Sequence, residues 1–241
     1  HRDLPSFPTR RSSDLVGVAC ALVGVIIGSL TLTGGATTFA GYIIQVGENS
    51  LFMSLVLTML TCLVLGMGIP TIPNYIITSS IAAPALLDLG VPLIVSHMFV
   101  FYFGIMADLT PPVALAAFAA APIARESGLK IGVRAVQIAI AGFVVPYMAV
   151  YAPELMLQGG KGLAATAYVV FKALLAVTLW GTAVVGYFRS AMNAIERVLA
   201  FAAASLLVVA LPISDEAGFA LAAAVIAWHL WRSRRLAPVI S

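Results

Sequence analysis

Charge is what this sequence has least of. Asp, Glu, Lys and Arg make up only 10% of its 241 residues, against about a quarter in a domain folded for water. Between Leu51 and Ala124 there is no Lys or Arg at all. The thirteen basic residues that do occur sit singly or in short groups between apolar segments, so they form no nucleic-acid face despite a formal charge of +3. Cysteine is scarce too. Cys20 and Cys62 both lie inside apolar runs, and two such thiols make neither a disulfide framework nor a metal site. Ser, His and Cys do not recur at nucleophile spacings, and no glycine loop for phosphate is present. The sequence therefore reads as no enzyme, with no organic cofactor; a polytopic membrane enzyme is the alternative. Dyad alternation is missing as well, which excludes an outer-membrane barrel.

What fills the chain instead is hydrocarbon. Apolar residues reach 61% and the mean hydropathy is +1.06. A spanning helix needs roughly 20 predominantly apolar residues, and segments near 16–33, 132–152, 164–188, 196–213 and 217–231 meet or approach that length. The expected fold is an all-α polytopic membrane protein. Residues 36–47, with Thr37, Thr38 and Gln45 among Phe39, Tyr42 and Ile43, read as an interfacial arm. Residues 1–15 are polar and stop sharply at Val16. They look like translated sequencing adapter rather than native protein, a genuine cytoplasmic tail being the alternative.

Two segments cannot be plain spans. The apolar run 51–66 ends at Gly66-Met67-Gly68-Ile69-Pro70-Thr71-Ile72-Pro73, where each internal proline costs a helix about 3 kcal/mol and each glycine about 1. A second run, 74–87, leads to Asp88. Residues 51–87 thus read as a re-entrant helical hairpin, with two full crossings as the alternative. The stretch 93–124 is too long for one crossing and is cut by Asp108-Leu109-Thr110-Pro111-Pro112, which predicts one discontinuous helix resuming near Val113.

Unwound backbone at membrane depth must be buried in protein or line a cavity. Freed carbonyls can coordinate sodium, and half-helix N-termini near Asn74 and Val113 can face an anion. Candidate substrate contacts are Thr71, Asn74, Thr78, Ser79 and Thr110; candidate sodium ligands are Gly66, Gly68, Pro70, Asp108, Thr110, Pro111 and Pro112. Proline kinks without a ligand are the plain alternative. For Asp108, costing roughly 3 kcal/mol mid-helix, the alternative is a carboxylate that caps the resumed half-helix. His97 reads as interfacial, and Lys172 as snorkelling or paired locally.

Lysine and arginine orient the chain. Loops at 125–134, 189–197 and 232–235 hold Arg125, Lys130, Arg134, Arg189, Arg197, Arg232, Arg234 and Arg235, while the opposite loops hold only Lys161, so the basic side should be cytoplasmic. In intact cells, single cysteines at Gly128 and Ser233 are expected to resist an impermeant maleimide while one at Gly159 reacts; labelling at 128 with none at 159 would invert the topology.

The run LVLGMGIPTIPNYIITSSIAAPALLDLGVP, followed by FYFGIMADLTPPVALAAFAAAPIA, is similar to the second half of the large membrane subunit of tripartite ATP-independent periplasmic (TRAP) transporters, especially the fused permeases that serve TAXI-type binding proteins. Gly66-Met67-Gly68-Ile69-Pro70 and Thr110-Pro111-Pro112-Val113 carry most of the likeness, which covers about 16–157. Ala114 departs from it, since many relatives have glycine there. The resemblance implies one inverted-repeat half of an elevator-type sodium symporter; a different sodium-coupled exchanger with hairpins is the alternative. Its site residues would be Gly66, Gly68, Pro70, Thr71, Asn74, Asp108, Thr110, Pro111 and Pro112. An extracytoplasmic solute-binding protein would deliver an organic acid across the bacterial cell inner membrane, and residues 163–241 would be extra C-terminal helices. Only one hairpin and one broken helix are present, so the resemblance also implies a fragment lacking the N-terminal permease half.

Overall fold

The computed structural model describes residues 8–158, 160, 162–208 and 212–236. Among them the secondary structure is helical, without a strand; one isolated bridge, Tyr187 to Ala191, closes a turn. The chain divides into two compact units, one ending at Gly132 and one beginning at Val133.

The first unit opens with α1 (Pro8–Leu32), which begins ahead of the Val16 hydropathy boundary, and α2 (Gly35–Asn49). Their apolar parts meet at 72° across Gly34, whose φ of +69° suits glycine. The expected interfacial arm is therefore a helix from end to end. Ser50 caps α3 (Leu51–Gly66) by accepting the Met53 N–H, and Ser54 Oγ donates to Ile43 O at 2.6 Å, tying α3 to α2.

Helix α3 stops where glycine and proline require it. The break is shorter than the sequence suggested: only 67–70 leave the helix, because Thr71 to Pro73 form the first turn of α4 (Thr71–Ile81), where a proline lacking N–H loses nothing. After one kinked residue, Ala82, α5 (Ala83–Asp88) follows and ends in a Schellman turn. There Gly90 lies at φ +83°, Val91 N–H donates to Leu86 O and Gly90 N–H to Leu87 O. Helix α6 (Leu93–Met106) packs against α3, α4 and α5, burying Val95, Phe99 and Phe103. A gap at 107–114 separates it from α7 (Leu115–Ala124). The discontinuous helix is present, but it resumes at Leu115, not Val113.

Helix α8 (Gly128–Phe143) starts inside what the sequence marked as a basic loop, so Lys130 and Arg134 sit on its first turns. Lys130 donates to Glu126, holding that exposed carboxyl below its usual range. With α9 (Val145–Tyr151) it spans 24 residues, kinked at Val144-Val145-Pro146.

The second unit is built on α10 (Leu163–Val185), α11 (Ala194–Val208) and α12 (Pro212–Leu236), with α11 packed on both neighbours. Their seam is small: Ala173, Ala176, Ala183, Ala200, Ala203, Ala204 and Ala222 are buried, which lets the backbones approach closely. Among the described residues, two helices are long and apolar enough to cross a membrane, Gly128–Tyr151 and Leu163–Val185, with Ala21–Leu32 plus Thr37–Val46 as a bent third. Of the expected 196–213 span, residues 196–208 lie in α11, and 209–211 fall outside the described residues.

Lys172 pairs rather than snorkels. It is buried, and its Nζ donates to both Asp215 oxygens at 2.8 and 3.0 Å; Tyr168 OH donates to Oδ2 at 2.9 Å. Removing one partner strands the other charge. Lys172→Met is expected to cost about 3 kcal/mol in detergent unfolding of the permease, and adding Asp215→Leu to recover most of it. An additive double variant would show that the pair is not coupled.

Candidate functional site at the two helix breaks

The fold brings the two interruptions together. Gly68, at the hairpin tip, sits against the break in the discontinuous helix: a Cβ there would lie 3.7 Å from Val113 Cγ1. Gly66 is tighter. A Cβ on it would come within 2.7 Å of Asn74 Nδ2 and 2.8 Å of both Ala107 Cβ and Gly104 O. Asn74 is buried in this cradle, and its Nδ2 donates to Gly104 O at 2.6 Å, clamping α4 to α6. Gly104 is glycine for the same reason, because a Cβ would stand 2.9 Å from Asn74 Oδ1.

Two buried oxygens at this junction have no partner, Asn74 Oδ1 and one oxygen of Asp108. Such atoms are uncommon, since a buried acceptor left unpaired costs about 1–3 kcal/mol. The backbone adds more acceptors. Pro73 has no N–H to return to Ile69 O four residues back, and the carbonyls of Gly68, Ile69, Pro111 and Pro112 accept no hydrogen bond among the described residues.

The second break is partly self-satisfied. Asp108, Leu109 and Thr110 N–H groups donate back to Ile105, Met106 and Ala107 carbonyls, tightening the end of α6 until Pro111 and Pro112, joined by a cis peptide bond, can donate nothing. The Asp108 carbonyl, not its side chain, caps α7, accepting the Ala116 N–H at 3.2 Å. Ala117 N–H turns to Ala114 O, which leaves Leu115 as the one unpaired N–H in that first turn. An anion would find more at α4, where the Thr71 and Ile72 N–H groups both have no partner among the described residues. Ala114 itself is left-handed at φ +40°.

The other candidates are placed unevenly. Thr71, Gly68 and Pro70 are exposed at the tip. Thr78 is buried and spends its hydroxyl on Asn74 O at 2.9 Å; Ser79 and Thr110 donate to Ile76 O and Met106 O. Asn74 and Thr78 therefore lie between helices, Ser79 and Thr110 are half-buried, and of the five substrate candidates only Thr71 is exposed. His97 Nδ1 meets Tyr75 OH at 2.8 Å, away from the junction. The sequence reading missed Gly104, whose signal is a lone glycine inside the apolar helix FYFGIM.

The family model of the DctM component of the tripartite ATP-independent periplasmic transporter matches residues 7–161. The chain belongs to that family. The DctM match contains both breaks and ends before α10. It also reaches ahead of Val16, into the polar segment set apart by composition. No curated protein and no solved structure matches. As a DctM-type chain this is a transport permease of the membrane, and the geometry above describes its junction.

Proposed function

We propose that the junction of the two breaks is the ion and substrate site of a sodium-coupled symporter for organic acids, supplied by an extracytoplasmic binding protein. The observation that carries this reading is that two buried oxygens, Asn74 Oδ1 and Asp108 Oδ1, and the carbonyls at 68–69 and 111–112 have no hydrogen-bond partner among the described residues. All are hard oxygen donors, and carbonyl and carboxylate oxygens suit a hard cation. The residues present thus fit sodium. Asp108 supplies the one formal negative charge among them, and Asn74, locked through Gly104, holds its amide oxygen in place.

The organic acid carries the opposite charge. With no Lys or Arg between 51 and 124, its carboxylate would depend on the Thr71 and Ile72 N–H groups, the Thr71 hydroxyl and the positive end of α4. A cation bound alongside supplies what the side chains lack, which makes coupling a direct electrostatic consequence. The setting of this reading is a multi-pass protein of the bacterial inner membrane.

Uptake of a labelled carboxylate by proteoliposomes holding the complete permease and its binding protein tests this. Transport should require an inward sodium gradient and should fall when Asp108→Leu removes the charge. Equal uptake from sodium and choline media would refute sodium coupling.

A further inference from the structure

The DctM match stops before α10, yet one end of the α10–α12 bundle is chemically distinctive. Between the last turn of α10 and the first turns of α11 lies an open groove of about 450 Å³, lined by Ala183, Val184, Ala194, Val198, Phe201 and, as its single charged residue, Arg197. Two donors of Arg197 are spent on the fold: Nε donates to Ala183 O at 2.7 Å and Nη2 to Val184 O at 3.0 Å, covering carbonyls that the end of α10 leaves open. Its Nη1 has no partner among the described residues. Around the groove the exterior is aliphatic, with Val185, Ile195 and Val198 each more than half exposed.

Positive charge at this end is not neutralised. Glu196 is its acidic side chain among the described residues, and it is fully buried. One carboxylate oxygen accepts from Arg232 at 2.7 Å and from the Asn193 N–H at 3.0 Å, and meets His229 Nδ1 at 3.3 Å. Arg232 is thereby used, while Arg189 and Arg234 are exposed and Arg197 lies at the groove. Tyr187, Phe188 and Trp231 are exposed on the same turn and helix end, the kind of side chain that sits at headgroup level.

We propose that this groove binds an anionic phospholipid, an acyl chain lying along Val184, Val198 and Phe201 with the phosphate on Arg197 and Arg189. A hydrocarbon trough ending in guanidinium groups that have no carboxylate partner among the described residues complements a molecule with one long apolar tail and one anion. Basic pockets at helix ends hold lipid headgroups in this way. A covering protein helix would need acidic partners for the same arginines.

The test uses the complete permease in phosphatidylcholine vesicles, with spin-labelled phosphatidylglycerol or spin-labelled phosphatidylcholine as the probe. Wild type should prefer the phosphatidylglycerol label by about fivefold, the factor expected per basic side chain at a membrane surface, and salt should reduce that preference. Arg189→Gln with Arg197→Gln should bring the ratio close to one. Because Arg197 also serves the end of α10, Val198→Trp is the independent variant: it fills the groove, leaves every arginine in place, and should also lose the preference. Equal binding of both labels by wild type overturns the proposal, as does a preference unchanged by Val198→Trp. A photo-reactive residue at Phe201 that captures a polypeptide instead of phospholipid in native membranes overturns it too.

Discussion

Gly66→Ala is expected to destabilise the permease by about 3–5 kcal/mol and to abolish uptake. The added methyl has nowhere to go: Asn74 Nδ2, Ala107 Cβ and Gly104 O all stand within 2.8 Å of it, and one of the three is backbone. Overpacking of this kind costs about 1–3 kcal/mol. The side chain most able to yield is Asn74, and its movement breaks the bond to Gly104 O, leaving a buried carbonyl and amide unpaired for about another 1–3. Gly24→Ala on α1 is the matched control, since a Cβ there meets nothing within 4 Å and helix propensity favours alanine. Thermal unfolding of both variants in detergent, with uptake measured in parallel, makes the comparison. A Gly66→Ala protein as stable as the Gly24→Ala control would mean that the cradle is looser than these distances imply.

The second large effect concerns sodium. With Pro111→Ala and Pro112→Ala, N–H groups appear where the chain has none. They can pair with Ala107 O and Asp108 O in continuation of α6, and the latter carbonyl now caps α7 through Ala116. The double variant should fold and insert, lose most carboxylate uptake, and require a sodium concentration at least about tenfold higher for half-maximal rate, a factor equal to roughly 1.4 kcal/mol of lost ion binding. Asp108→Asn should do less, because an amide oxygen still coordinates while one charge is removed. Sodium dependence unchanged by the double substitution would make the second break a kink without a ligand.

Glycine and proline made the breaks legible before any coordinates. Gly66, Gly68, Pro70, Pro111 and Pro112 act through local backbone chemistry, so their effect is written where they stand. The positions of the resumed helices were less legible. Pro73 reads as part of the break although a helix tolerates proline in its first turn, and Ala114 takes a left-handed conformation more usual for glycine. Which polar groups would be buried was not readable at all. Thr78 and Ser79 look alike in sequence, yet only Thr78 is turned wholly between helices; Asn74 matters because two glycines, eight residues before it and thirty after it, leave it room. The Glu196, His229 and Arg232 cluster likewise joins residues whose proximity depends on α11 packing against α12. Asn193 and Glu196 cap the start of α11 reciprocally, a local signature that the reading of a span at 196–213 did not use.

The Asn74 clamp also limits how this protein can move. A bond of 2.6 Å set between two glycines works like a key in a slot, admitting neither axial sliding nor rotation of α4 against α6. Slippage by one helical turn, about 5.4 Å, would drive Asn74 out of its recess and into side chains. The hairpin tip and the first half of the broken helix therefore travel as one rigid body, carrying their oxygens in fixed mutual register. On the proposed reading, exposing those oxygens first to one side of the bilayer and then to the other requires displacing the whole block.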